Sequence, residues 1–330
     1  MMTFSRKRKY WLTNSIRDAL DLIIMKEGKM IDNHVGQKFT TNKKHNMIGF
    51  LFVLPAIIFI VLFVIYPVAY NVWLSLTNSI LTKNTYRFIG LQNYEKMFTN
   101  RLFGKYFWNT CVWTFWSVLG QIVLGLGIAL LISKPMKGGT LLRSFLLIPY
   151  VVPAITLALV TKWTMNSDYG IISYWLQQAK LLQNRQSLLA IPASAMASVI
   201  ILNIWRSFPF PMLIYWAAIK GINRELYDAA KVDGAGNHQL FRYVTMPQLH
   251  STTVVLIVLR TIWTATYYDL IYMVTGGGPA GATTTLPILI YQASFGSYRI
   301  GYAAALSMIL GALMLVCVIF YIKKSGVIDN

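Results

Sequence analysis

Long apolar runs without charges alternate along the chain with short segments that hold nearly all of the Lys and Arg. Six such runs, at about 48–76, 106–133, 141–163, 191–218, 249–274 and 300–322, are each long enough to cross a bilayer as a helix, which takes about 18 or more apolar residues. Pro55, Pro67, Pro149, Pro153, Pro209 and Pro211 fall inside them. Interior prolines break helices in water. In a membrane they are tolerated, because neighbouring helices satisfy the freed backbone groups. The pattern predicts an all-α integral membrane protein with six transmembrane helices.

Composition agrees, with 56% hydrophobic and 12% charged residues against about 25% charged in an ordinary soluble domain. The net charge of +19 does not point to nucleic acid. No segment resembles a nucleic-acid-binding motif, and the chain is too apolar for an aqueous groove. The positive charge lies where membrane topology puts it. With the N-terminus inside, nineteen Lys and Arg fall in the cytoplasmic segments and nine in the outer ones, so both termini are expected in the cytoplasm. Arg206 and Arg260 remain at membrane depth.

The chain divides into an extension at 1–46, a membrane domain at 47–324 with a cytoplasmic loop at about 220–248, and a tail at 325–330. The extension carries Trp11, Ile16, Leu20, Ile23 and Ile24 at roughly helical spacing, with Arg17, Asp18, Asp21 and Lys26 between them. It reads equally as an amphipathic helix on the inner leaflet or a partner subunit and as a partly ordered tail. Its basic start is not followed by a signal-peptide core and cleavage site. Cys111 and Cys317 sit in separate apolar runs, so neither a zinc site nor a disulfide framework is expected.

The most informative segment is the loop between the fourth and fifth runs. Residues 224–233 favour a helix with acids near its start, where the dipole welcomes them. Gly234 and Gly236 are natural stop and turn positions. A second short helix at about 237–245 would present Leu240, Phe241 and Val244 on one face, and Pro247 suits the first turn of the fifth run. The result is a helix–turn–helix elbow. Its small residues, Ala229, Ala230, Gly234 and Ala235, would let a partner's groove come close.

This elbow resembles the EAA loop of ABC importer permeases. Asp228-Ala229-Ala230 is followed after three residues by Gly234, and after nine more by Val244-Thr245-Met246-Pro247. The family spacing is kept, with Asp for Glu, Val for Ile and Met for Leu. The resemblance implies a type I importer fold. It also makes the loop a coupling helix that docks into an ATPase subunit, through Glu225, Asp228, Ala229, Ala230, Asp233, Gly234, Phe241 and Pro247.

Other segments are similar to the carbohydrate-uptake branch of that family, the type of the larger maltose permease and the glycerol-phosphate permease. They are Leu54-Pro55 through Tyr66-Pro67, Ser75-Leu76-Thr77, Phe88-Ile89-Gly90-Leu91-Gln92-Asn93-Tyr94, Asn109-Thr110, and Arg143 with Pro149 and Pro153. Later come Asp269, Thr275-Gly276-Gly277-Gly278-Pro279, Thr283-Thr284 and Gly301-Tyr302-Ala303-Ala304-Ala305. The likeness covers about 48–322. It implies a bacterial inner-membrane subunit that works with a second, different permease, two ATPase subunits and a periplasmic or extracellular solute-binding protein, by alternating access. No P-loop occurs anywhere in the sequence, so this chain is not expected to hydrolyse ATP or carry a cofactor, and the resemblance implies that ATP and Mg sit on the partner ATPases.

Polar and aromatic residues at membrane depth are the candidates for the substrate pathway. They are Asn203, Arg206, Trp216, Arg260, Trp263, Tyr267, Tyr268 and Asp269. Aromatic faces beside hydrogen-bonding groups suit a sugar or oligosaccharide, and the two arginines raise an acidic one. With ten Trp and nineteen Tyr, interfacial belts and helix packing are the competing reading. No catalytic residues and no metal ligands are expected. A self-contained secondary transporter or channel is the alternative. It would need no docking elbow, and it would show more acids at depth than Asp269 alone. A membrane enzyme would need clustered His, Asp or Glu, which His34, His45, His238 and His250 do not form.

Overall fold

A computed structural model describes residues 43–83, 86–134, 136–180 and 186–325. The predicted amphipathic extension lies outside these residues except for its last four positions, as does the C-terminal tail beyond 325. The chain forms two compact units, one ending at Pro67 and the other starting at Val68.

The first unit is helical over Lys43–Ile60 and through a wider turn at Val61–Ile65. The apolar helix Phe50–Ser75 (α1) has none of its most apolar window buried. Phe52, Phe59 and Phe63 all face outward. A helix satisfies its own backbone groups, so such a surface is stable in hydrocarbon and would not be in water.

The second unit is also helical. Among the described residues the only extended pairings are two isolated bridges, Thr77 with Phe88 and Ile80 with Lys83. A short surface helix, α2 (Gln92–Thr99), precedes the long α3 (Phe103–Ser133), which has no break. Next come α4 (Gly139–Val151), α5 (Ala154–Thr164), α6 (Ile171–Gln178), α7 (Pro192–Ser207) and α8 (Pro209–Gly221). The elbow contains α9 (Arg224–Val232) and α10, which starts at Asn237–Gln239 and runs through wider turns to Met246–Gln248. The chain ends with α11 (His250–Ala265), α12 (Asp269–Thr275), α13 (Leu286–Tyr291) and α14 (Ile300–Ser325).

The apolar runs therefore become helices, but three of them are broken where continuous spans were expected. α4 and α5 meet at 87°, α7 and α8 at 42°, and α11 and α12 at 44°. Among the described residues, up to six helical crossings result, by length and composition, if each bent pair counts as one. The first break follows from Pro153, which drives Val152 out of the helical region to ψ 125. The second comes at Pro209, which has no N–H to continue the ladder of α7 and starts α8 instead. The third has no proline. There Thr266 Oγ1 bonds back to the Ile262 carbonyl at 2.9 Å, a contact that bends helices.

α3 is the central column, packed most extensively against α8, then α11 and α7. At one end Trp113 is fully buried among Leu157, Ala158, Val199, Ile200, Leu270 and Ile271. Its indole N–H donates to the Thr264 carbonyl at 2.9 Å. Further along, Val118, Ile122, Ala129 and Ile132 pack on Phe208, Met212, Tyr215, Leu249 and Leu256.

The short motifs that looked unrelated in sequence meet in space. Asn93 Nδ2 donates to the carbonyls of Ser75 and Thr77 at 2.9 and 2.7 Å. Tyr94 OH donates to Ser75 Oγ at 2.8 Å. Asn109 Nδ2 donates to the Gly281 and Thr284 carbonyls, both at 3.0 Å, and Thr110 Oγ1 accepts from Leu286 N at 2.8 Å. Thr283 and Thr284 close the glycine turn by donating to the carbonyls of Gly278 and Gly277 at 2.7 and 2.9 Å. These segments pin one end of the bundle together.

Candidate functional site

Two places have the chemistry of a site. The first is a cavity of about 190 Å³ lined by Tyr150, Asn203, Arg206, Ser207, Arg260, Trp263, Thr264 and Tyr267. The helix breaks create it. Arg206 and Ser207 end α7 just before its kink, and Tyr267 lies in the gap between α11 and α12.

Arg260 is buried, with 6% of its surface exposed. Its Nε donates to Gln121 Oε1 at 2.7 Å, and its guanidinium carbon lies 5.6 Å from the Trp263 ring centre. Arg206 Nε donates to the Val152 carbonyl at 3.3 Å. Its guanidinium stands 5.6 Å from the Tyr267 ring centre. Ser207 Oγ donates to Asn203 Oδ1 at 3.2 Å. Beside these bonds, Asn203 Nδ2, Thr264 Oγ1 and Tyr267 OH are buried with no partner among the described residues. No carboxylate lines the cavity.

The arrangement therefore offers two cations, unused amide and hydroxyl groups, and aromatic faces. That set suits a ligand with many hydroxyl groups. It carries no acid–base pair for catalysis, and no metal-binding cluster occurs among the described residues.

Five of the eight predicted pathway residues converge here: Asn203, Arg206, Arg260, Trp263 and Tyr267. The other three do not. Trp216 lies under the Arg143 guanidinium at 4.6 Å from its ring centre, packed with the α3–α8 core. Tyr268 faces a different groove, and Asp269 is exposed in the first turn of α12. Neither arginine has Asp269 among its hydrogen-bond partners. Tyr150, Ser207, Thr264 and the anchoring Gln121 were not singled out from the sequence. Gln121 had a usable signal, since an amide inside a charge-free run is costly unless it has a partner.

The second place is the elbow. α9 is capped by Asn223, whose Oδ1 accepts from Glu225 N at 3.1 Å. It ends at Gly234, whose φ of +83° is a left-handed stop that favours glycine. Tyr227 and Thr245 share a hydroxyl hydrogen bond of 3.0 Å that ties α9 to α10. Leu240, Phe241 and Val244 are half-buried on one face of α10. On the outer side of α9, Glu225, Leu226, Asp228, Ala229, Val232 and Asp233 are exposed, Val232 to 88%. Asp228 pairs with Lys231 at 3.2 Å. This exposed pair contributes only about 0.3 kcal/mol. Ala230 is half-buried, and Pro247 is exposed within Met246–Gln248.

The chain thus carries an exposed, partly apolar elbow and, separately, a polar cavity among its broken helices. Residues 121–324 match the family described as binding-protein-dependent transport system inner membrane component. The chain belongs to that family. This permease is 33% identical to the trehalose/maltose transport system permease protein MalF of Thermococcus litoralis, over 89% of this chain and 98% of that one. It is 34% identical to the sulfoquinovosyl glycerol transport system permease protein SmoG of Agrobacterium fabrum, over 84% and 90%. It also superposes with a TM-score of 0.75 on a chain of a bacterial alginate ABC transporter solved in complex with an alginate pentasaccharide-bound periplasmic protein. That match covers 89% of this permease and 99% of the solved chain at 22% identity, and likens the two in fold. The permease is a transmembrane transport subunit, and both the elbow and the cavity fall inside the matched region.

Proposed function

We propose that this permease forms half of an ATP-driven importer that moves a sugar or oligosaccharide handed over by a periplasmic or extracellular solute-binding protein. The observation that carries the reading is the cavity at the helix breaks, where two arginines, an orphaned amide, two orphaned hydroxyls and three aromatic side chains meet without a carboxylate. That set favours an anionic sugar, because guanidinium groups bind carboxylate-type groups in pairs of parallel hydrogen bonds. The relatives named for trehalose/maltose and sulfoquinovosyl glycerol transport support the carbohydrate class.

At about 190 Å³ the cavity is smaller than the roughly 300–1,000 Å³ of ordinary ligand pockets. This fits a pathway completed by a second permease. Two ATPase subunits hold ATP and Mg, and the exposed face of α9 is the coupling surface that docks into one of them. Both termini lie in the cytoplasm. Closure of the ATPases pulls α9, α10 transmits the pull to α11, and the cavity switches its access.

The test is co-purification of the permease with its ATPase subunits from membranes. Gly234 is a poor target, since any side chain there is strained at φ +83°. Ala229→Trp and Val232→Lys change only exposed positions. Retained ATPase and ATP-dependent uptake are expected to fall at least about tenfold, as for truncation of an interface hot spot. Membrane insertion should be normal. Unchanged co-purification and unchanged uptake would remove the coupling role from this face of α9.

A further inference from the structure

A second cavity opens beside the first. It has a volume of about 1050 Å³ and is lined by Lys162, Tyr268, Tyr272, Tyr291, Gln292 and Phe295, among others. Its aromatic rings form one continuous cluster. Tyr268 and Tyr291 are stacked at 4.8 Å between ring centres, Tyr272 lies 5.2 Å from Tyr268 and 4.8 Å from Tyr291, and Phe295 lies 5.1 Å from Tyr291. Tyr272 and Phe295 are exposed, as are Lys162 and Gln292. No acidic side chain lines the groove.

Tyr267 and Tyr268 are consecutive in the break between α11 and α12, and each faces a different cavity. Tyr267 lines the small one and Tyr268 the large one. The break thus sets the two spaces side by side. The larger one sits against the glycine turn, at Thr275, Gly276, Gly278 and Pro279.

We propose that this tyrosine-lined groove is a carbohydrate-holding site in its own right, which takes the trailing rings of an oligosaccharide whose leading ring occupies the arginine cavity. This rests on the carbohydrate reading given above. A pyranose has an apolar C–H face and a hydroxylated rim. A tyrosine supplies a flat apolar face and a hydroxyl to match, which a leucine surface does not. Three tyrosines in mutual contact give a surface longer than one ring. Lys162 and Gln292 add donors at the edge. The volumes agree with the division of labour. The small cavity is below the usual range for a whole ligand, and the groove is at its upper end.

The test uses the complete importer, with its binding protein, in proteoliposomes. The probe is a mixed library of neutral and uronate oligosaccharides of two to six residues, with import of each length read by mass spectrometry. The variants are Tyr272→Leu combined with Phe295→Leu, and separately Lys162→Gln. Neither site is buried, and retained ATPase in the purified complex verifies assembly. The expected result is a drop of about tenfold in kcat/KM for the longest imported members, with the shortest imported member unchanged.

Equal loss at every length, together with weaker stimulation of ATP hydrolysis by the binding protein, would make the groove a docking face for that protein and overturn the proposal. No change at any length would overturn it as well. If a wild-type complex that hydrolyses ATP imported nothing from the library, the carbohydrate reading itself would fail, and the groove assignment with it.

Discussion

The Arg260–Gln121 contact offers a quantitative test of how the cavity is held. Arg260 is 6% exposed and Gln121 is fully buried, so water cannot replace a lost partner. Gln121→Leu removes the acceptor of a 2.7 Å hydrogen bond to a cation, worth roughly 1.5–3 kcal/mol. It also removes the Gln121 Nε2 amide, which has no partner among the described residues. That relieves roughly 1 kcal/mol of desolvation. The net expectation is a loss of about 0.5–2 kcal/mol. Arg260→Met removes the buried charge, so the double variant should be less destabilised than the sum of the singles, by about 1 kcal/mol or more. Equilibrium unfolding in detergent micelles of wild type, both singles and the double measures this cycle. Additivity within about 0.5 kcal/mol would refute the coupling. Arg260 would then be held by its ring contact and helix packing.

Two further outcomes follow from contacts at the pinned end of the bundle. Asn93→Ala loses both amide donations to the Ser75 and Thr77 carbonyls in a buried position, a loss of about 2 kcal/mol. Asn93→Asp should be worse, because it sets a carboxylate against two carbonyl oxygens, and thermal unfolding monitored by size-exclusion recovery gives the order. In Gly301→Ala the new Cβ would collide with the Thr77 carbonyl oxygen. The backbone must move, at about 1–3 kcal/mol or more, whereas Gly311→Ala meets open space and should leave recovery unchanged.

Much of the elbow was legible because its signals are local. Asn223, the acids at the start, the left-handed Gly234 and Pro247 each act through their own few residues of backbone, so the two helices fall where their sequence places them. The cavity was legible only in part. Polar residues in a charge-free run announce themselves one at a time, which picked out Arg206, Arg260 and Asn203. Nothing in the run says which face each will occupy. Trp216 and Asp269 had the right residue types, and rotation about their helices took one into the α3–α8 packing and the other to the surface.

The sequence by itself determined that this chain is built of membrane-spanning helices and where those helices and the elbow run. Both depend on hydrophobic length, caps and spacing within single segments. Only the tertiary structure decided how far those helices bend and which residues the breaks bring together. A bend of 87° or 44° depends on what the neighbouring helices will accept, and the Arg260–Gln121 bond spans 139 residues. No local pattern encodes a contact of that range. It forms because a buried guanidinium needs an acceptor, and the packing of α3 against α11 puts one there.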